Sequence, residues 1–345
     1  MPCSVLGRGG ISMKLTFILF FIFSIQIFAQ SDSPKADKLQ SYNIDPKAVT
    51  VSGISSGAFM ANQLATAYSR LFSGYGSVAG GIFWCAEGGK ERAQAECMKT
   101  PSTINSDVYI NKVKALADAG DLDPIENLKK QKVYIFAGTK DAVIKPVSSD
   151  KLYEFVSAFT PVNQIKYEKT IQAGHGFPTL DFGASCGLGF LPWILKCNFD
   201  GAGEIFQTMY SQLNDKGVAV ESNLLSFSQS EFGGSSTPLF ASGWVYVPTS
   251  CQKGRKCKLH VALHGCQQTP DYVQDQFARH AGYNEWAESN DIVVLYPQSA
   301  KMQPDNPYAC WDWYGFTDKQ YMTKSGVQMK AVKAMVDRIM KKSKN

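Results

Sequence analysis

Histidine is scarce, with 4 among 345 residues, and no Cys-x-x-Cys pair occurs. The imidazole and thiol spacing that marks a zinc site is therefore missing, and neither a metal nor a cofactor is expected. No apolar run has the length of a comfortable membrane span. The best candidate, Leu15 to Ala29, gives way at once to the polar Gln30-Ser31-Asp32-Ser33. Charge of one sign is not in large excess: 35 Lys and Arg against 30 Asp and Glu give +5. Removing Arg8 and Lys14 leaves +3, part of it in the tail Lys341-Lys342-Ser343-Lys344. That balance makes no case for nucleic acid as a partner. Internal repeats and low-complexity segments are absent as well, which excludes solenoids and arrays.

What is present at the start reads as a targeting signal. Arg8 and Lys14 form a basic region, Leu15 to Ala29 an apolar one, and Ala29 is a small residue before polar chain. Residues 1–30 are expected to be a cleaved signal peptide, with Met13 an alternative start and an uncleaved anchor the rival reading. Residues 31–40 are expected to be a flexible lead-in and 41–345 a single domain of the α/β class. Cysteine usage agrees with export. Of 9 cysteines, Cys3 lies in the leader, leaving an even set. They fall as Cys85/Cys97, Cys186/Cys197, Cys251/Cys257 and Cys266/Cys310, the first three close in sequence and the last by elimination. Other pairings, on the order of a hundred, stay open. No stable membrane insertion after cleavage is expected, and a monomer is.

Beyond residue 40, strand-like and helix-like segments alternate, the pattern of a mostly parallel sheet with helices on both faces. Buried strands are expected at Val78–Phe83, Lys132–Phe136, Ile165–Ile171, Leu259–Leu263 and Asp291–Tyr296. A final helix is marked by Val327, Ala331, Val332, Met335, Val336 and Ile339 on one face. Residues 181–235 look irregular and Gly-rich, an expected insertion with a short helix near Gly203–Leu213.

The chemistry starts at Gly53-Ile54-Ser55-Ser56-Gly57, between the apolar Ala48-Val49-Thr50-Val51 and the helix-like Ala58–Leu64. A sharp strand-to-helix turn lifts a serine Oγ clear of the sheet and brings the next backbone N–H beneath a developing oxyanion. The pattern occurs again at Gly183-Ala184-Ser185-Cys186-Gly187, but no strand precedes that copy, so Ser185 reads as a loop serine. A serine hydroxyl needs a base, and the base an orienting acid. His175, in the flexible Gly174-His175-Gly176 after a strand, is the expected base. His260 alternates within an apolar strand and reads as packed, His280 as solvated, and His264 as the opening of another motif. Asp141 directly follows Lys132–Phe136 and lies between nucleophile and histidine, as the hydrolase order requires. Its other reading is a turn aspartate bonding its own backbone. His264-Gly265-Cys266 after a strand has the form of an oxyanion loop, in which the N–H groups of Cys266 and Ser56 would hold the oxygen. Cys266 as a nucleophile beside His264 is the weaker idea, since an exported chain would hold it oxidised.

That loop lies about two hundred residues after Ser55, whereas hydrolases place it before the nucleophile. Joining the final helix to Tyr42-Asn43-Ile44 restores the order, so the chain reads as circularly permuted. Gly53–Ala58 near the start together with Leu263-His264-Gly265-Cys266-Gln267-Gln268 near the end resembles the secreted poly(3-hydroxybutyrate) depolymerases with a circularly permuted α/β-hydrolase domain. Further matching stretches are Ala202-Gly203-Glu204-Ile205, Gly282–Ala287, Leu295–Gln298 and Cys310-Trp311-Asp312-Trp313-Tyr314-Gly315. The resemblance implies Ser55, Asp141 and His175 as triad, the N–H groups of Ser56 and Cys266 as oxyanion donors, and a solid or oligomeric aliphatic polyester as substrate. Trp311 and Trp313 are the expected crevice lining, with core packing the alternative for each. With no appended polymer-binding module expected, adsorption would rest on exposed apolar side chains near the crevice. An esterase for feruloyl or acetyl groups of plant walls is a second reading, and a non-catalytic polymer-binding protein on a relict fold a third.

Overall fold

Side-chain alternation builds the centre of the molecule. Strand β1 (Ile44–Ile54) sends Val49 and Val51 into one core and Ile54 into the other. This is the period of a strand buried on both faces. It is followed by β2 (Gly74–Val78), β3 (Lys132–Phe136), β4 (Ile165–Glu168), β5 (Phe177–Thr179), β6 (Ala184–Ser185), β7 (Ile194–Lys196), β8 (Leu224–Ser228), β9 (Ser242–Tyr246), β10 (Cys257–Leu263) and β11 (Ile292–Tyr296). Eight of these form one sheet in the order β4-β3-β2-β1-β10-β11-β9-β8, and β5-β7-β6 form a small second one. Six neighbours run parallel, while β9 and β8 close one edge antiparallel. The structure, a computed structural model, describes residues 37–233 and 237–341; the leader expected at 1–30 lies outside them.

Helices cover both faces. The helix Ser56–Ala67 is buried at every position, and with Val327–Met340 it packs on the face of Val51, Val261 and Leu295. Gly201–Met209 and Tyr283–Asn290 cover the other, placing Ile205, Phe206 and Trp286 against Ile54, Ala262 and Val294. The two ends of the domain meet: Tyr42 donates its N–H to the Ile339 carbonyl at 2.8 Å. Joined there and counted from β8, the strands lie in the order first, second, fourth, third, fifth to eighth. The His264 loop then follows the third strand, the place an α/β-hydrolase gives its oxyanion loop.

Several boundaries differ from the sequence reading for physical reasons. The expected strand Val78–Phe83 is displaced, because β2 ends at Val78. A Cβ on Gly74 would lie 2.5 Å from the Lys132 carbonyl oxygen, and one on Gly76 would lie 2.9 Å from Ser52 Cβ. Close packing there selects glycine, so the strand has little apolar signature. The stretch 181–235 divides: β6 and β7 belong to the small sheet, but Gly201–Met209 covers the central sheet and β8 is its edge strand. Of the lead-in 31–40, the described part is packed, with Leu39 buried and the Asp37 carbonyl accepting from the Ser228 N–H at 2.8 Å.

Candidate active site

Ser55 directly follows β1 and stands at the N-cap position of Ser56–Ala67 with φ 55° and ψ −122°, a conformation that non-glycine residues rarely hold. Its N–H donates to Val78 at 2.9 Å and its carbonyl accepts from Ala58 at 2.9 Å, so both sides of the strained residue are tied. The flanking glycines do more than relieve the turn. A Cβ on Gly53 would come 2.3 Å from the Gly57 oxygen, and one on Gly57 would come 2.4 Å from the His264 oxygen. Only bare backbone lets the serine turn sit directly against the end of β10.

Asp141 follows β3 and His175 follows β4, and Asp141 Oδ2 meets His175 Nδ1 at 2.8 Å. Asp141 Oδ1 accepts from the N–H groups of Val143 at 2.8 Å and Ile144 at 2.9 Å. One carboxylate oxygen thus serves the turn and the other meets the imidazole. Both side chains are buried, and His175 shares a cavity wall with Ser55. Among the described residues no hydrogen bond joins Ser55 to His175; such bonds in free hydrolases tighten when substrate arrives.

The loop His264-Gly265-Cys266, expected to be the oxyanion loop, is held by its own histidine. His264 Nε2 accepts the Ser299 N–H at 3.1 Å, so Nδ1 carries the proton and donates to the Gly265 carbonyl at 2.6 Å. Burial pushes the His264 pKa down to about 4, which keeps the ring neutral. The Gly265 N–H donates to Gln268 Oε1 at 2.6 Å. Among the described residues neither Ser56 nor Cys266 donates its N–H to a protein acceptor. Disulfides join Cys85–Cys97, Cys186–Cys197, Cys251–Cys257 and Cys266–Cys310. The last closes a separation of 44 residues, which in the chain-entropy account stabilises by roughly 4 kcal/mol. It also clips the oxyanion loop to the Trp311–Tyr314 segment.

Residues 241–343 match a family model described as esterase PHB depolymerase, and residues 36–197 match one described as the prolyl oligopeptidase family. The Delftia acidovorans poly(3-hydroxybutyrate) depolymerase is 44% identical over 88% of this chain, which spans 62% of that protein's length. The Talaromyces funiculosus polyhydroxybutyrate depolymerase is 35% identical over 88% of this chain and 93% of its own. The crystal structure of PHB depolymerase from Penicillium funiculosum superposes with a TM-score of 0.82 at 33% identity, covering 88% of this chain and 98% of that one. This chain belongs to the PHB depolymerase family.

In this depolymerase-family member Ser55, Ser56, His175 and Cys266 face one cavity of about 380 Å³. Trp313 lines it, stacked on Phe59 at 4.3 Å between ring centres. Trp311 does not, and the expectation that it would is corrected. It is fully buried, 5.3 Å from the His264 ring, with its backbone N–H donating to Ser56 Oγ at 3.3 Å. Loop positions two apart need not face alike: the Asp312 carboxylate gathers the N–H groups of Gly315, Phe316 and Thr317, curling the chain around Trp313 and beyond it.

Trp193 was missed by sequence reasoning. It lies edge-on to His175 at 5.8 Å and lines the cavity, and Gln268 Nε2 donates to its carbonyl at 3.2 Å. Its signal was an aromatic in an irregular loop, without periodicity to read. Leu188, Phe190 and Leu191 of that loop and Tyr308 of the cavity lining are exposed. His260 is buried, hydrogen-bonded to Thr50 at 2.8 Å and Ser52 at 2.7 Å, and Ser185 is exposed on the small sheet. His280, read as solvated, instead stacks on Phe182 at 3.9 Å. Among the described residues no acidic or imidazole cluster suits a metal, and no helix is long and apolar enough to cross a membrane.

Proposed function

We propose that the chain is a serine esterase that hydrolyses poly(3-hydroxybutyrate) and related short-side-chain polyhydroxyalkanoates. Ser55 Oγ attacks the ester carbonyl while His175 Nε2 takes its proton. The tetrahedral oxygen is received by the N–H groups of Ser56 and Cys266, and the N-terminus of Ser56–Ala67 favours its charge. His175 then returns the proton to the leaving alcohol, which departs with the chain on its side. Water, deprotonated by His175, attacks the acyl-enzyme and releases the acid, while Asp141 holds the imidazole tautomer throughout. The observation that carries this reading is the Asp141–His175 pair at 2.8 Å, whose histidine lines with Ser55 a cavity that Ser56 and Cys266 also line.

The protein acts as an exported monomer. Four disulfides suit an oxidising compartment. The exposed Leu188, Phe190, Leu191 and Tyr308 around the cavity suit adsorption to an apolar solid. The test is turbidity clearing of a poly(3-hydroxybutyrate) suspension by the purified protein, with Ser55→Ala and a soluble aryl ester in parallel. Clearing that vanishes in Ser55→Ala is the expected result. Aryl-ester cleavage without clearing would keep the serine chemistry and overturn the polymer assignment.

A further inference from the structure

The cavity is lined mainly by apolar side chains, yet one lysine reaches it. Lys90 Nζ is held on the cavity wall by the carbonyl of Asp305 at 3.3 Å. Its neighbour Arg92 is spent on Glu87 at 3.1 Å and Glu96 at 2.8 Å. Lys90, by contrast, is half-buried and has no carboxylate within ion-pair distance among the described residues. Asp305 also lines the cavity, but only its backbone oxygen meets the ammonium. A carbonyl satisfies one donor and leaves the charge uncompensated. A cation so placed, on the wall of the space that would receive an ester carbonyl, attracts an anion at the end of a substrate.

Resting on the esterase reading above, we propose that Lys90 binds the free terminal carboxylate of 3-hydroxyacid oligomers. The protein then acts preferentially on short chains, cutting near their carboxyl end. The polarity of the ester dictates the arrangement. The carboxyl-terminal piece is the alcohol that leaves Ser55, so Lys90 lies on the leaving-group side. Each cut of a longer chain generates a fresh carboxylate on the acyl piece, which makes products of one cleavage substrates for the next. Asp305 sets the opposite bias, since its carboxylate repels the same terminus.

The experiment compares hydrolysis of a 3-hydroxybutyrate trimer as the free acid and as its methyl ester, by wild type, Lys90→Met, Lys90→Arg and Asp305→Asn. Wild type is expected to favour the free acid in kcat/KM. The ratio of the two kcat/KM values should fall roughly three- to tenfold in Lys90→Met, the size of a partly exposed charge pair. It should hold near the wild-type value in Lys90→Arg and rise in Asp305→Asn. Added salt of about 0.5 M should shrink the wild-type preference by screening. Equal use of both trimers by wild type, or a ratio that Lys90→Met leaves in place, overturns the carboxylate role and leaves the esterase reading standing. Failure to cleave either trimer or an aryl ester overturns both.

Discussion

The imidazole of His264 donates to the carbonyl of the next residue, Gly265, at 2.6 Å. In a planar trans peptide the C=O and the following N–H point opposite ways. Drawing the Gly265 oxygen toward the ring therefore turns the Cys266 N–H away from it, and Cys266 itself lines the cavity beside Ser55. The histidine thus positions the Cys266 N–H, the proposed oxyanion donor, without touching it. His264→Asn should keep the fold but let that peptide rotate. The expected loss is about ten- to a hundredfold in kcat with little change in KM, part of the effect of deleting one donor. A variant with wild-type kcat and thermal midpoint would show that the disulfide alone aims the loop.

Asp141 divides its two oxygens between Val143 and Ile144 on one side and His175 on the other. Asp141→Asn can keep the backbone contacts only by turning its NH₂ toward Nδ1, which selects the wrong imidazole tautomer. The expected outcome is a fall in kcat of about 10³–10⁴ at an almost unchanged melting temperature. Circular dichroism with aryl-ester kinetics checks both halves. A loss below tenfold would assign Asp141 to the turn alone.

How much of this was legible in the sequence depended on whether a residue's role was set by local chain direction. Ser55 and Asp141 each follow a strand with a clear apolar run, and His175 follows the mixed strand β4, so the sheet delivers all three to one edge. Trp311 and Trp313 share a type and a motif, and what separates them is the knot of hydrogen bonds around Asp312. Composition cannot report that. Trp193 reaches the cavity through contacts with Gln268, some 75 residues away. The edge strand β8 carries a mixed face, with Leu225 exposed and Phe227 buried, and its neighbour β9 alternates half-buried and buried positions. They offered no continuous apolar run.

Two histidines make stability depend on pH. Burial lowers the folded-state pKa of His264 to about 4 and of His260 to about 3. The unfolded chain binds protons near pH 6.5, so between that value and the folded pKa it holds more protons than the native state. Their contribution is complete above about pH 6.5 and is lost as pH falls toward 4 and then 3. Asp312, which burial raises above the ordinary carboxylate range, opposes this in the lower part of the window. The net expectation is a melting temperature lower by about 5–10 °C at pH 4 than at pH 7. A flat profile measured by calorimetry across that interval would mean that neither imidazole is held neutral by the fold.

The two neighbouring tryptophans should separate cleanly under substitution. Trp311 is inaccessible, packed against His264 and bonded through its backbone to Ser56. Replacing it with alanine opens a cavity beneath the oxyanion loop and should cost about 3–5 kcal/mol of stability. Trp313 forms cavity wall on Phe59, so Trp313→Ala removes flat apolar wall from the cavity proposed to take substrate. That variant should lose about tenfold in kcat/KM for a hydroxybutyrate trimer, with a smaller loss for a short aryl ester. Comparing melting temperature with the trimer-to-aryl-ester ratio distinguishes the roles. A Trp311→Ala protein that melts normally but discriminates less between the two esters would reverse the assignment.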